Sequence, residues 1–331
     1  SDLCVGRFFP SSSNRSSRMR SLLFGARSVV ATAARPSVWS ARALACVAAS
    51  ASGAFAAPAS RACAAGAATC AAGAAVADGN IETVRQEFKK QASLYAPHPK
   101  AIEFVMSEVG DVAGAALDVA SGTGVFAMAL APSCQKVVAF DATKEMLARA
   151  SRTAGGLGIS NIDFRLGDAT NLPFANASFD VVVSRLAVHH FATPSAVVQE
   201  MVRVCRPGGR VVVADIVADD DPEQHAETDR LEILRDPSHT ACLTLGGLHD
   251  LLANDARVEV QPHSGNVYMH PMNAAFWMDN SETPAEVGKE IDERLRAELA
   301  GGKPTGLKPF LDESGELTFL HRYAVVQGTR L

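Results

Sequence analysis

Three carboxylates in the middle of the chain, Asp118, Asp141 and Asp168, each sit at or just after a short apolar run. Asp118 stands four residues before Gly122 in Leu117-Asp118-Val119-Ala120-Ser121-Gly122-Thr123-Gly124, where it can accept hydrogen bonds from an ammonium or an ordered water. Asp141 follows 23 residues later and can take two vicinal ribose hydroxyls. Asp168, in Gly167-Asp168-Ala169, suits an exocyclic amine. Gly122 and Gly124 remove side chains where a ligand must approach the backbone. Helix N-terminal N–H groups would then face the ligand's anionic end. Three acids at three successive strand ends fit a ligand that is a nucleoside at one end and an amino acid at the other.

The elements that position these residues alternate strand and helix. Expected strands are 115–120, 136–140, 162–166, 179–184 and 210–217. Expected helices are 81–95, 100–109, 125–131, 144–154 and 194–205, the last stopped by Pro207-Gly208-Gly209. Such alternation implies an α/β fold with a parallel sheet wound by right-handed crossovers. The last third reads differently: a helix 223–235, a segment 248–252, a strand 258–261, a helical insertion around 284–299 and a terminal strand 317–326. No internal repeat is found.

Further pieces follow in a fixed order: Phe140-Asp141-Ala142-Thr143-Lys144-Glu145-Met146-Leu147, Gly167-Asp168-Ala169, Leu172-Pro173-Phe174, Ser178-Phe179-Asp180, His189-His190-Phe191 and Arg206-Pro207-Gly208-Gly209-Arg210. With Leu117–Gly124 they cover about 100 contiguous residues. This stretch resembles a class I S-adenosylmethionine-dependent methyltransferase of the small-molecule type, in motif style the ubiquinone/menaquinone C-methyltransferases. The resemblance implies a Rossmann-like, seven-stranded, mostly parallel sheet with an antiparallel last strand and helices on both faces. It implies S-adenosylmethionine as cofactor, held by the backbone of Ala120, Ser121, Gly122, Thr123 and Gly124 at the methionine end. Asp118 and Arg185 are placed among the cofactor contacts, Asp141 with Ala142 at the ribose, Met146 against the adenine face, and Asp168 with Ala169 at the adenine edge. Ala120 departs from the glycine often found at its position. The segment after the fourth strand, Ala187-Val188-His189-His190-Phe191, replaces the Asn-containing one usual in the quinone enzymes.

Methyl transfer from an activated sulfonium rests mainly on in-line alignment and exclusion of water, with a general base for a phenol or an acidic carbon. Ser184-Arg185-Leu186-Ala187 lacks the Asn/Asp-Pro-Pro-aromatic signature of amide and adenine methylases. No carboxylate at that strand end suggests metal-assisted catechol chemistry. A small organic acceptor, quinone-like or lipid-related, is expected. His189, His190 and Tyr95 are the candidate catalytic residues. His225, His239 and His321 are placed along the acceptor pocket, and Arg185 and Arg235 against an anionic acceptor. Asp219-Asp220-Asp221 reads as a solvated loop with charge for the helix that follows. The lid elements fall in 80–110 and about 222–310.

Two rival readings remain. Without an obvious base, the chain could be a non-catalytic methyltransferase fold serving an organellar complex. Gly122-Thr123-Gly124-Val125-Phe126-Ala127 also matches a dinucleotide fingerprint, which alone would suggest a nicotinamide-dependent oxidoreductase.

Composition divides the chain. Residues 1–80 carry eight arginines against two aspartates, a net of +6. The remaining residues hold 23 basic against 34 acidic side chains, a net of −11. The overall charge of −5 argues against a nucleic-acid binder. A mean hydropathy of +0.07 excludes a polytopic membrane protein. Residues 1–79, rich in Arg, Ser and Ala, read as an organelle-targeting or disordered segment, with a reading start at Met19. Arg20, Arg27, Arg35 and Arg42 fall within an arc of about 80° on a helix, which suits an import receptor. The mitochondrial matrix is the expected compartment, with plastid and cytoplasm as alternatives. The seven cysteines show neither a CxxC pair nor Cys/His metal spacing, so no disulfide scaffold and no zinc site are expected. A fluorescent protein fused behind residues 1–79 should collect in mitochondria; diffuse cytosolic fluorescence would refute the address.

Overall fold

The computed structural model describes residues 80–93, 99–261 and 266–331. The expected targeting segment and Tyr95 lie outside the described residues. Two helices open the fold, α1 (Ile81–Gln91) and α2 (Pro99–Val109). The alternating core follows: β1 (Ala115–Val119), α3 (Val125–Leu130), β2 (Lys136–Asp141), α4 (Lys144–Gly156), β3 (Ile162–Leu166), β4 (Phe179–Arg185), α5 (Pro194–Val204) and β5 (Cys205–Ile216). The last third contains α6 (Pro222–Arg235), α7 (Leu245–Ala253), β6 (Val258–Val260), β7 (Asn266–Asn273), α8 (Ala274–Asp279), α9 (Ala285–Leu299), β8 (Phe310–Leu311) and β9 (Leu317–Arg330).

The strands form one sheet in the order β3-β2-β1-β4-β5-β9-β6. β1 to β5 are parallel, and β9 runs antiparallel to β5. Seven strands were expected; nine are present among the described residues, because β7 and β8 also pair with β9. β7 escapes a sequence reading because Asn266-Val267-Tyr268-Met269-His270-Pro271-Met272-Asn273 lacks clean alternation and contains Pro271, which an edge strand tolerates. β5 begins at Cys205 rather than Arg210. The Pro207-Gly208-Gly209 segment is taken up as a register shift between Phe179 and Val181 on β4. Gly209 is required there, since a Cβ would lie 2.7 Å from the Cys205 sulfur and 2.8 Å from the Asp180 carbonyl.

The period-two alternation of the strands sorts their side chains onto two faces. Leu117, Val119, Val182, Val211 and Val213 join the core beneath α5 and α7. Ala116, Val181, Val183, Val212 and Ala214 join the core beneath α2 and α3. A separate cluster of Leu231, Trp277, Ile291, Leu295, Leu317 and Phe319 holds α6, α8 and α9 against the lower half of β9. Among the described residues no helix is long and apolar enough to cross a membrane.

Phe319 is fully buried, with its ring 4.9 Å from that of Trp277. Phe319→Ala should destabilise the fold by about 3–5 kcal/mol in urea unfolding. A loss below about 1 kcal/mol would show that this cluster is not packed through Phe319.

Candidate active site

The parallel order reverses at β1, which sends β2 and β3 to one side and β4 and β5 to the other. A crevice therefore opens beyond the carboxyl ends of β1 and β4. It is a cleft of about 1000 Å³ that includes Asp118, the loop 120–123, Asp141, Ala142, Met146, Asp168, Ala169, Arg185 and His190. Gly124 closes the loop at φ +69°, and a Cβ there would lie 2.8 Å from the Ala150 methyl carbon. Ala120 and Leu186, directly after β1 and β4, both adopt left-handed φ, 55° and 54°. Side-chain-bearing residues held there store strain of about 1–3 kcal/mol each, concentrated at the cleft. The left-handed φ at Ala120 also explains why glycine suits that position.

The carboxylates differ in how far the protein satisfies them. Asp141 accepts from the Gly122 N–H at 2.7 Å and the Thr143 N–H at 2.8 Å, which ties the glycine loop to the end of β2. The Thr143 hydroxyl and the Ala142 N–H also act on it, yet burial still holds its pKa above the ordinary carboxylate value. Asp168 accepts from the N–H and the hydroxyl of Thr170, both at 2.8 Å. Asp118 is 1% exposed, and its Oδ2 has no hydrogen-bond partner among the described residues. Burial pushes Asp118 up to about 7, against the opposing charge of Arg185 and the N–H of Ala127.

A second chamber of about 950 Å³ adjoins the first, and the two share Phe88, Arg185, Leu186 and His190. Phe88 comes from α1, so the helix ahead of the core forms part of the partition. Trp277 and Phe276 from α8, His270 and Met272 from β7, and His321 and Tyr323 from β9 line the far side. Glu232 and Arg235 from α6 complete it. The Glu232 carboxylate pairs with Arg235 at 3.1 Å and with His321 Nε2 at 3.0 Å. Burial opposes its charge, but Arg235 and His321 hold it well below the usual carboxylate range. The Arg235 guanidinium lies 5.1 Å from the centre of the Trp277 ring.

His189 and His190 occupy a short 3-10 turn after β4, and they differ. His189 Nδ1 lies 2.6 Å from Asp215 Oδ1, at the end of β5. Asp215 also accepts from the N–H groups of Val188 at 2.6 Å and Ile216 at 2.7 Å. Burial alone would lower the His189 pKa, but the charge and hydrogen bond of Asp215 outweigh it and hold it above the ordinary value. Asp215 itself stays below the usual carboxylate range despite burial, held there mainly by His189. His190 is pushed down to about 3 by burial and by His189 beside it, so it is neutral. Its Nδ1 meets the Ser238 hydroxyl at 3.1 Å. Asp215 was not anticipated from the chain, because it is one apolar strand away from the histidines; an acid ending β5 was the only available signal.

The remaining candidates separate. His321 and Arg235 line the second chamber. His225 and His239 do not; they lie together behind its wall, against Asp229. Asp221 caps α6 by accepting from the Gln224 N–H at 2.9 Å, and Asp219 pairs with Arg322 at 3.4 Å.

The strand order, the antiparallel β9 and the glycine loop over a switch-point crevice define the methyltransferase variant of the Rossmann-like folds. Residues 117–213 match a family described as a methyltransferase domain. YcgJ, an uncharacterized methyltransferase of Bacillus subtilis, is 30% identical over 214 residues, 65% of this chain and 83% of its own length. Its crystal structure is similar at a TM-score of 0.62 and 28% identity, covering 70% of this chain and 99% of that one. A demethylmenaquinone methyltransferase of Renibacterium salmoninarum is 41% identical over 112 residues, 34% of this chain and 45% of its own length. The chain belongs to the class I S-adenosylmethionine-dependent methyltransferases and is an enzyme of that class. The nicotinamide reading of the glycine motif is thereby set aside: the matched family extends through β5, well beyond that motif.

Because Asp215 is what raises His189, Asp215→Asn should drop the His189 pKa below its ordinary value, since burial then acts unopposed. Imidazole NMR titration checks this; an unchanged His189 pKa would remove Asp215 as the cause.

Proposed function

We propose that this protein transfers the methyl group of S-adenosylmethionine to a small, ring-bearing organic acceptor with an ionisable hydroxyl or acidic carbon, quinol-like in character. The observation that carries the reading is the continuity of two chambers. One offers acids at strand ends, and the other is lined with aromatic rings and with a histidine held by a buried carboxylate.

The residues of the first chamber fit the cofactor. Asp118 presents a buried, unpartnered oxygen suited to the ammonium of the methionyl end. The loop 120–124 leaves backbone exposed for its approach. Asp141 stands at the end of β2 to meet the ribose hydroxyls, Met146 packs on the base, and Asp168 with Ala169 reads its edge. Bound S-adenosylmethionine supplies an activated, electrophilic methyl group.

What the chain itself does follows from its geometry. Phe88, Leu186 and neutral His190 form the partition through which the two ligands meet, and they exclude water there. Asp215 holds the proton of His189 on Nδ1, which leaves Nε2 to take a proton from the acceptor. His189 then becomes imidazolium, stabilised by the Asp215 charge. Trp277, Phe276 and Tyr323 favour a planar acceptor, and Arg185 favours oxygen substituents that carry negative charge. The demethylmenaquinone methyltransferases among the relatives support a quinol-like acceptor. The His189–Asp215 pair supplies the base whose apparent absence motivated the non-catalytic reading. The arginine-rich, acid-poor composition of residues 1–79 supports an organellar, mitochondrial setting.

Titration calorimetry of the full chain should show saturable binding of S-adenosylmethionine. Affinity should rise as pH goes from about 5.5 to about 7.5, because Asp118 must ionise to hold an ammonium. The sign for stability is opposite: the raised Asp118 favours the unliganded fold at low pH, and that contribution is lost as pH rises through about 7. Asp118→Asn should flatten the affinity profile and weaken binding by about 1–3 kcal/mol. A folded protein that does not bind would overturn the reading. His189→Gln should leave cofactor affinity intact and slow methyl transfer to a hydroquinone acceptor about 100- to 10,000-fold. Unchanged turnover would exclude His189 as the base.

A further inference from the structure

Behind the wall of the second chamber, four potential metal donors meet that have no part in the methyl-transfer reading. Asp229 projects from α6, one turn after His225, and both face the loop 236–244. That loop contributes His239 and Cys242, a pair three residues apart that departs from the expectation of no Cys/His metal spacing. Donor atoms of Asp229, His239 and Cys242 all lie within 4.8 Å of one another. His239 Nε2 is 3.1 Å from Asp229 Oδ1 and 3.9 Å from the Cys242 sulfur. His225 Nε2 is 3.3 Å from Asp229 Oδ2. A tetrahedral zinc ion with bonds of about 2.0–2.3 Å needs donors about 3.3–3.6 Å apart, so small shifts would close Asp229, His239 and Cys242 on an ion. His225, whose Nε2 lies 2.9 Å from the Cys242 carbonyl, must turn from it to join them.

We infer that Asp229, His239 and Cys242, with His225 as fourth donor, form a binding site for a zinc-class divalent cation. One thiolate, two imidazoles and one carboxylate are the borderline-soft set that selects zinc or cobalt over magnesium or calcium. On binding, the Cys242 thiol proton leaves to solvent and a new metal–sulfur bond forms. The His239 proton moves to Nδ1, a buried nitrogen with no hydrogen-bond partner among the described residues. The ion reaches the site from the α6 side, where the side chains of His225 and Asp229 are 28% and 19% exposed.

The site has a structural purpose. The same loop carries Thr240, whose N–H and hydroxyl donate to the His189 carbonyl at 2.7 and 2.8 Å. It also carries Ser238, which meets His190. A metal here fastens to α6 the loop that braces the histidine turn. Its four donors give no coordination position to the acceptor, so the role is that of a staple.

The test loads the full-length protein with Co²⁺ and with Zn²⁺. Wild type should develop a thiolate-to-cobalt charge-transfer band, and Cys242→Ser should lack it. Comparing the two removes any contribution of Cys4, Cys46, Cys63 and Cys70. Zinc affinity should fall in Cys242→Ser and His239→Ala by more than the 10- to 100-fold, roughly, that loss of a merely supporting partner causes. Zinc should raise the unfolding temperature of wild type and not of either variant. Should those variants fail to fold, X-ray absorption of zinc-loaded wild type decides. One sulfur at about 2.3 Å with nitrogen and oxygen donors at about 2.0–2.2 Å supports the site. A sulfur-only shell, or no zinc retained by the wild type, overturns it. An identical cobalt spectrum in Cys242→Ser does so as well.

Discussion

A carboxylate buried at the end of a parallel strand must be hydrogen-bonded, paired or neutral, and three such groups organise this protein. Asp215 meets the requirement inside the fold, through backbone N–H groups and His189. Asp141 meets it in part, and in doing so draws the Gly122 loop onto the end of β2. Asp118 meets it least: burial outweighs the Arg185 charge and the Ala127 N–H, its Oδ2 has no partner among the described residues, and its carboxyl is left near 7. Satisfaction by the protein is fullest at Asp215 and least at Asp118, whose Oδ2 is left for a ligand. The cleft therefore lies where the sheet leaves a carboxylate unfinished.

The second chamber depends on the length of β9. Its later residues, Tyr323–Thr329, pair with β5 and belong to the central sheet. Its residues before Tyr323 run past the end of β5, and Thr318–Val325 pair with β7. One strand thus spans both parts and carries Phe319 into the third core while delivering His321 and Tyr323 to the chamber. His270 stands directly opposite His321 in the β7–β9 register. Two chemically different chambers adjoin because both are built against one continuous sheet, and Phe88 from α1 with Leu186 and His190 from the turn after β4 stands between them.

Two kinds of electrostatic work are divided between neighbours in sequence. His189 is kept basic by a buried charge, and adjacent His190 is kept neutral by burial and by His189 itself. Under the proposed function, His189 is therefore the member of the pair suited to proton transfer. The other can sit against Phe88, at 4.9 Å between ring centres, at the partition where an apolar, water-excluding surface is wanted. The same physics places Glu232 between Arg235 and His321, which holds a full negative charge in a buried position.

The sequence by itself determined the alternating core, the glycine loop and the acids at successive strand ends. Those features are local: a period of two, a Gly-x-Gly turn and an acid at the end of an apolar run each act within a few residues. It also marked the histidine pair, without deciding between its members. Tertiary structure alone decided that Asp215 pairs with His189, that His321 lines the second chamber while His239 does not, and that β7, with its Pro271, joins the sheet as an edge. It also brought His225 and Asp229, from a helix, onto His239 and Cys242, from a loop. The reason is common to all four. Each is a pairing between residues far apart in the chain or on differently folded segments, set by the register of β5, β7 and β9 and by burial, and neither register nor burial is written in the spacing of residue types.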